Sequence, residues 1–191
     1  MSARARSREP VRLVLLRHAP AQHRDPSRWP DDADRPLRPS GRKEFARSAQ
    51  GLARLLDGRG VAVTSPLKRA HETNELLGRH WKPALEPWVW PELRPEIPAR
   101  DVLGRVARSL ARSRGSMVLI GHEPQFSRLV GLATTGEAAS VVRFSKGGAI
   151  AIDFDAALVP GGGKIAWALT RSQLSRLART RPGPDRDLDE E

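Results

Sequence analysis

Short, almost wholly apolar runs separated by helix-length segments leave this chain few folds to adopt. Residues 11–16 (VRLVLL), 61–64 (VAVT) and 116–120 (SMVLI) are too short for core helices and too continuous for half-exposed strands. Runs of this kind are strands buried on both faces, found where helices cover a mainly parallel sheet. Between the first two runs, Phe45, Ala49, Leu52, Ala53, Leu55 and Leu56 recur at helical spacing, with Ser40 as the expected N-cap. Residues 67–80, 101–112 and 123–133 read as further helices. Residues 85–90, interrupted by Pro87, and residues 149–154 and 164–169 read as further strands. Strands alternating with helices predict a three-layer α/β/α sandwich with a central, mainly parallel sheet. One domain is expected over residues 11–170, after a flexible N-terminus at 1–10. Residues 171–191 are expected to be a polar, disordered tail, since 181–191 alone hold two Pro, one Gly and five acids.

Composition narrows the function classes. No apolar run approaches the roughly 20 residues of a membrane helix, and the first ten residues lack the apolar stretch of a secretory signal. A cytoplasmic monomer is the expectation. Cysteine is absent, which excludes thiolate nucleophiles, disulfides and cysteine-based zinc sites. Lys and Arg number 33 against 22 acidic residues, a net charge of +11. The arginines are scattered rather than gathered in a stripe, and no zinc-finger or RNA-binding motif accompanies them, so dedicated nucleic-acid binding is not expected.

The chemistry lies where strands end. His18 follows the first buried run and His122 follows the 116–120 run, each at a strand's carboxyl end, where ligands gather in open α/β sheets. Arg17 precedes His18, and Arg69 lies one turn into the helix after the second strand. Two guanidinium forks hold phosphoryl oxygens through paired hydrogen bonds. A neutral imidazole is a competent phosphorus nucleophile near pH 7, and a second imidazole, protonated, adds charge stabilisation. The set suits phosphoryl transfer through a phosphohistidine. No cluster of Asp ligands accompanies it, so neither a metal nor another cofactor is expected. Residues 22–39 hold four prolines and form a long loop near the site, in which Arg35 is a candidate for reaching an acidic group of the substrate. Lys146-Gly147-Gly148 reads as a turn before a strand.

Three motifs then stand in order: Leu15-Leu16-Arg17-His18-Ala19, Ser65-Pro66-Leu67-Lys68-Arg69-Ala70-His71-Glu72-Thr73, and Gly121-His122-Glu123-Pro124. Together they resemble the histidine phosphatase, or phosphoglycerate mutase-like, superfamily, and within it the SixA-type phosphohistidine phosphatases. Asp34-Arg35-Pro36-Leu37 followed by Ser40-Gly41 is similar to the branch's "D-x-R-P-L-T-x-x-G" segment, with Arg38 in the usual Thr place and one spacer residue missing. The resemblance implies His18 as nucleophile and Arg17, Arg69 and His122 as the rest of the phosphate pocket. It also makes Glu92 the candidate proton donor after the third strand, with Glu96 second. The implied substrate is phosphohistidine on a protein. A small phosphorylated metabolite is the alternative substrate, and a non-catalytic phosphate- or phosphoprotein-binding module is the alternative class.

Overall fold

A computed structural model describes residues 11–56, 60–82, 87–110, 116–155 and 157–179. Among these, a six-stranded sheet is flanked by helices on both faces. Its strands are β1 (Val11–Arg17), β2 (Val61–Thr64), β3 (Trp88–Val89), β4 (Met117–Gly121), β5 (Ala149–Phe154) and β6 (Gly163–Leu169). The spatial order is β3-β2-β4-β1-β5-β6. The β3–β2, β2–β4 and β4–β1 pairs are parallel, whereas β5 and β6 join antiparallel at one edge. The helices are α1 (Pro39–Ala53), α2 (Lys68–Gly78), α3 (Ala99–Leu110), α4 (Gln125–Thr135) and α5 (Arg171–Leu177).

The two-residue period of a strand sorts the core into two halves. Leu13 and Leu15 of β1 join Val61, Val63, Met117 and Leu119 beneath α3 and α4, which contribute Val102, Val106, Phe126 and Leu129. Val14 and Leu16 face the other way, with Ala62, Val118 and Ile120, beneath Phe45, Leu52, Leu77 and Leu174 of α1, α2 and α5. Every side chain from Leu13 to Leu16 is fully buried, which is why this run shows no polar alternation.

The expected α/β/α sandwich is therefore observed, with local differences. The polar tail begins as a helix: α5 buries Leu174 against α1. A capping box at Thr170 and Gln173 starts it. Gly51 of α1 lies so close that a Cβ there would collide with the Leu174 carbonyl. The third strand shrinks to Trp88–Val89, with residues 83–86 outside the described ones. α1 starts at Pro39 with Arg38 in the cap position, so Ser40 is not the N-cap. Proline fits that first turn because its missing N–H has no helical partner there. Finally, α4 begins at Gln125, two residues later than expected. The expected flexible N-terminus and residues 181–191 lie outside the described residues.

Candidate active site

Parallel register brings three strand ends level. Arg17 of β1 pairs with Gly121 of β4, and Thr64 of β2 pairs with Ile120. The residues that follow are tied across the same edge. His18 N donates to the Gly121 carbonyl at 3.0 Å, and Ser65 N to the Ile120 carbonyl at 2.9 Å. His18, Ser65 and His122 thus leave the sheet side by side. The Lys146-Gly147-Gly148 turn closes the fourth side. Gly147 takes φ of +74° and its N–H reaches the carbonyls of both Arg17 and His18 at 3.1 Å. Only glycine adopts that conformation without strain.

The two imidazoles sit 5.0 Å apart between ring centroids. His18 Nδ1 lies 2.7 Å from the carbonyl of Ala19. A carbonyl only accepts, so Nδ1 carries the proton and Nε2 keeps its lone pair. His122 Nε2 lies 2.9 Å from Ser65 Oγ, and that hydroxyl already accepts from Leu67 N. A hydroxyl both donates and accepts, so this contact suits a neutral His122 with its proton on either ring nitrogen. His122 Nδ1 is buried with no hydrogen-bond partner among the described residues.

The arginines are held at one end and open at the other. Arg17 Nη1 donates to the Phe144 carbonyl at 2.5 Å. Arg69 Nη1 donates to the Asp32 carbonyl at 2.8 Å and sits 3.2 Å from Asp32 Oδ2. The Nε of each is buried without a partner. Arg69 is only 4% exposed, its guanidinium held at one end by Asp32. Arg69 stays a cation: burial, then Arg35, lowers its pKa to about 10.

The sequence-predicted residues divide. Arg17, His18, Arg69 and His122 converge at this edge. Arg35 is fixed by Asp32 through Nε at 2.8 Å, while its Nη1 donates to the Gln22 carbonyl at 2.8 Å. The carboxylate of that pair is Asp32, not Asp34 of the quoted motif. Arg35's hydrogen bonds, and then the Arg69 charge, hold Asp32 below the usual carboxylate range. Glu92 stands in a short 3-10 turn and accepts from Arg105 Nη1 at 2.6 Å, with its other oxygen buried and unpartnered. Gln125 ties that turn down by donating to the carbonyls of Glu92, Arg94 and Ile97. Asp32, Ser65 and Lys146 join the site without having been singled out. Two had a usable signal: Ser65 opens the Ser65–Thr73 motif, and Asp32 lies three residues from Arg35 in a loop. Among the described residues, no group of three or more His, Asp or Glu is placed to hold a metal.

Burial sets the protonation. Desolvation, with Arg69, Arg17 and Lys146 nearby, pushes His18 down to about 3. Desolvation, then His18 and the arginines, pushes His122 down to about 2. Burial therefore favours the neutral form of both rings in the absence of a phosphoryl group. A folding consequence follows. Both rings titrate near 6.5 in the unfolded chain, so below that pH the unfolded state takes up protons the folded state refuses. Stability is fully present above pH 6.5 and falls as pH drops toward the folded values. The expected loss is on the order of 1 kcal/mol per pH unit per ring. Urea denaturation at pH 7.5, 6 and 5 measures it, with His122→Asn roughly halving the slope. A slope untouched by that substitution would contradict the neutral-ring assignment.

Known proteins share this arrangement of elements. A SixA protein histidine phosphatase complexed with tungstate superposes with a TM-score of 0.74 at 23% identity, over 85% of this chain and 99% of that one. A mycobacterial glucosyl-3-phosphoglycerate phosphatase gives 0.65 at 16% identity, over 84% and 100%. In sequence, an uncharacterized protein of Picosynechococcus sp. (strain ATCC 27264 / PCC 7002 / PR-6) is 30% identical over 155 residues, covering 78% of this chain and 88% of that protein. Residues 13–140, from the first buried strand past the Gly121-His122 strand end, match the model of branch 1 of the histidine phosphatase superfamily, and the chain belongs to that family.

Proposed function

We propose that this protein is a metal-independent phosphatase working through a phosphohistidine on His18, with protein phosphohistidine as its substrate. One observation carries the reading. His18 is locked as the tautomer that offers an Nε2 lone pair, at the strand edge where unpartnered nitrogens of Arg17, Arg69 and His122 also lie. Phosphate binding alone needs the donors but not a nucleophile among them, so the geometry favours catalysis over a binding module.

The reaction has two displacements. In the first, the Nε2–P bond forms as the bond from phosphorus to the leaving nitrogen or oxygen breaks, and the leaving atom takes a proton. In the second, a water oxygen replaces Nε2 on phosphorus, its proton is lost to phosphate or solvent, and His18 returns to its starting state. Arg17 and Arg69 hold the phosphoryl oxygens through both steps, and His122 Nδ1–H donates to one of them. A phosphoryl dianion in the pocket offsets the neighbouring cations and raises both histidines from their unliganded state. Glu92 is the proton donor available from the 3-10 turn. A phosphoramidate nitrogen protonates readily and depends on it less than an alkyl oxygen does. That contrast favours phosphohistidine over a small phosphate ester, whose hydrolysis is the second reading.

The test is phosphate release from an aryl phosphate and from a phosphohistidine peptide, each with excess chelator. Turnover of both, faster on the peptide, is the expected result. Turnover confined to small esters would move the substrate to the second reading. Saturable phosphate binding without turnover of either would leave a binding module.

A further inference from the structure

Cations that the phosphoryl pocket does not use gather beside it. A cavity of about 600 Å³ begins at Pro20 and Ala21, immediately after His18 and Ala19, and its wall carries Arg24, Arg35, Arg38, Lys146 and Arg171. Five cationic side chains and no carboxylate line it. The nearby acids are already shared. Glu44 serves both Arg38 at 3.3 Å and Arg171 at 2.8 Å, and Asp32 serves Arg35 and Arg69. Lys146 has no ion-pair partner among the described residues. Partial burial, then Arg17, Arg35 and Arg38, pulls its ammonium below the usual lysine range. Arg38 Nε and the Ser145 hydroxyl are buried without partners. Like charges crowded around unpaired donors destabilise the empty state and favour an anion in the space between them.

We propose that Arg38, Lys146 and Arg171, with the Ser145 hydroxyl, form a second anion site that receives a further phosphate or carboxylate carried by the substrate's leaving group. The proposal rests on the phosphatase reading for the first phosphoryl site and adds the substrate class: molecules with two anionic groups, one of them reacting. Arg24 and Arg35 extend the same field toward the loop of residues 22–39.

Equilibrium binding to the His18→Ala chain tests this without turnover. The probes are 1,4-butanediol bisphosphate against butyl phosphate, and a peptide with a stable phosphohistidine mimic flanked by glutamates against one flanked by alanines. The doubly anionic member of at least one pair is expected to bind about tenfold tighter or more. The bisphosphate pair points to a metabolite and the peptide pair to a protein. Lys146→Gln and Arg171→Gln should each cut that ratio at least about threefold. Arg100→Gln, the same charge change on α3 across the sheet, should leave it intact. Equal affinities within both pairs, or an equal loss in Arg100→Gln, would overturn the second site. The two readings fail separately. Aryl phosphate turnover by the wild type with no preference for the doubly anionic probes removes the second site alone. A preference without any wild-type turnover removes the phosphatase reading alone.

Discussion

A His18→Ala chain should release phosphate at least ~10⁴-fold more slowly than the wild type on any substrate the enzyme accepts. The size follows from what the side chain does. Arg17, Arg69 and His122 remain in place and still hold a phosphoryl group, but nothing at the strand edge takes the nucleophile's part. Water is then the only attacking group, and one difficult displacement is no longer split into two easier ones. The substitution also removes the Nδ1–H bond to the Ala19 carbonyl, leaving that carbonyl without its side-chain donor. Its backbone is still tied by His18 N to Gly121 and by Gly147 N to the Arg17 and His18 carbonyls, so the chain should fold and its phosphate affinity should change far less than its turnover. A covalent readout separates this from a general loss. Brief mixing of wild type with labelled substrate, then quenching in alkali, should leave acid-labile label on the protein, and His18→Ala should retain none. Near-wild-type turnover in His18→Ala, or label of equal amount, would end the covalent mechanism.

Much of this was legible before the structure. β1, β2 and β4 are buried on both faces, so their apolar runs carry no competing pattern, and the residues just after them are fixed at one edge by parallel pairing. That is why Arg17, His18 and His122 were found by position as well as by motif. Arg69 was found because a helix begun just past β2 must present its first turn there. What stayed hidden depends on contacts distant in sequence. α5 is polar enough to read as a tail, and only the close approach of Leu174 to Gly51 across more than a hundred residues reveals its buried side. Ser65 opens a motif, but its contact with His122 shows only once the two strand ends are set side by side. Lys146 read as part of a turn, and it is one; the turn happens to wrap the end of β1, which brings the ammonium beside the site. Asp32 lies in a loop whose four acids at 25, 31, 32 and 34 look alike in sequence. Its side chain alone bridges Arg35 and Arg69.

That bridge makes Arg69→Lys the second large effect, a loss of about 10²- to 10³-fold in kcat with charge conserved. A lysine keeps the cation but carries one compact ammonium instead of a fork. In the native site, Arg69 divides its donors between two tasks. Nη1 is committed to the Asp32 carbonyl and carboxylate, while Nε is buried with no acceptor inside the protein. In the proposed mechanism the side chain spans from its anchor to the phosphoryl position. An ammonium placed at Asp32 leaves the phosphoryl oxygens without a donor, and one turned toward phosphorus leaves the Asp32 carbonyl without its donor and its carboxylate with one close cation fewer, Arg35 remaining. Either arrangement weakens the state in which charge moves between the leaving atom and Nε2. Asp32→Asn discriminates anchoring from simple charge balance. It removes the carboxylate but keeps the backbone carbonyl that accepts from Nη1, so Arg69 should stay in place and kcat should fall by about tenfold or less. If Arg69→Lys retains most of its kcat, or Asp32→Asn loses as much as Arg69→Lys, the fork is not what holds the transferring group.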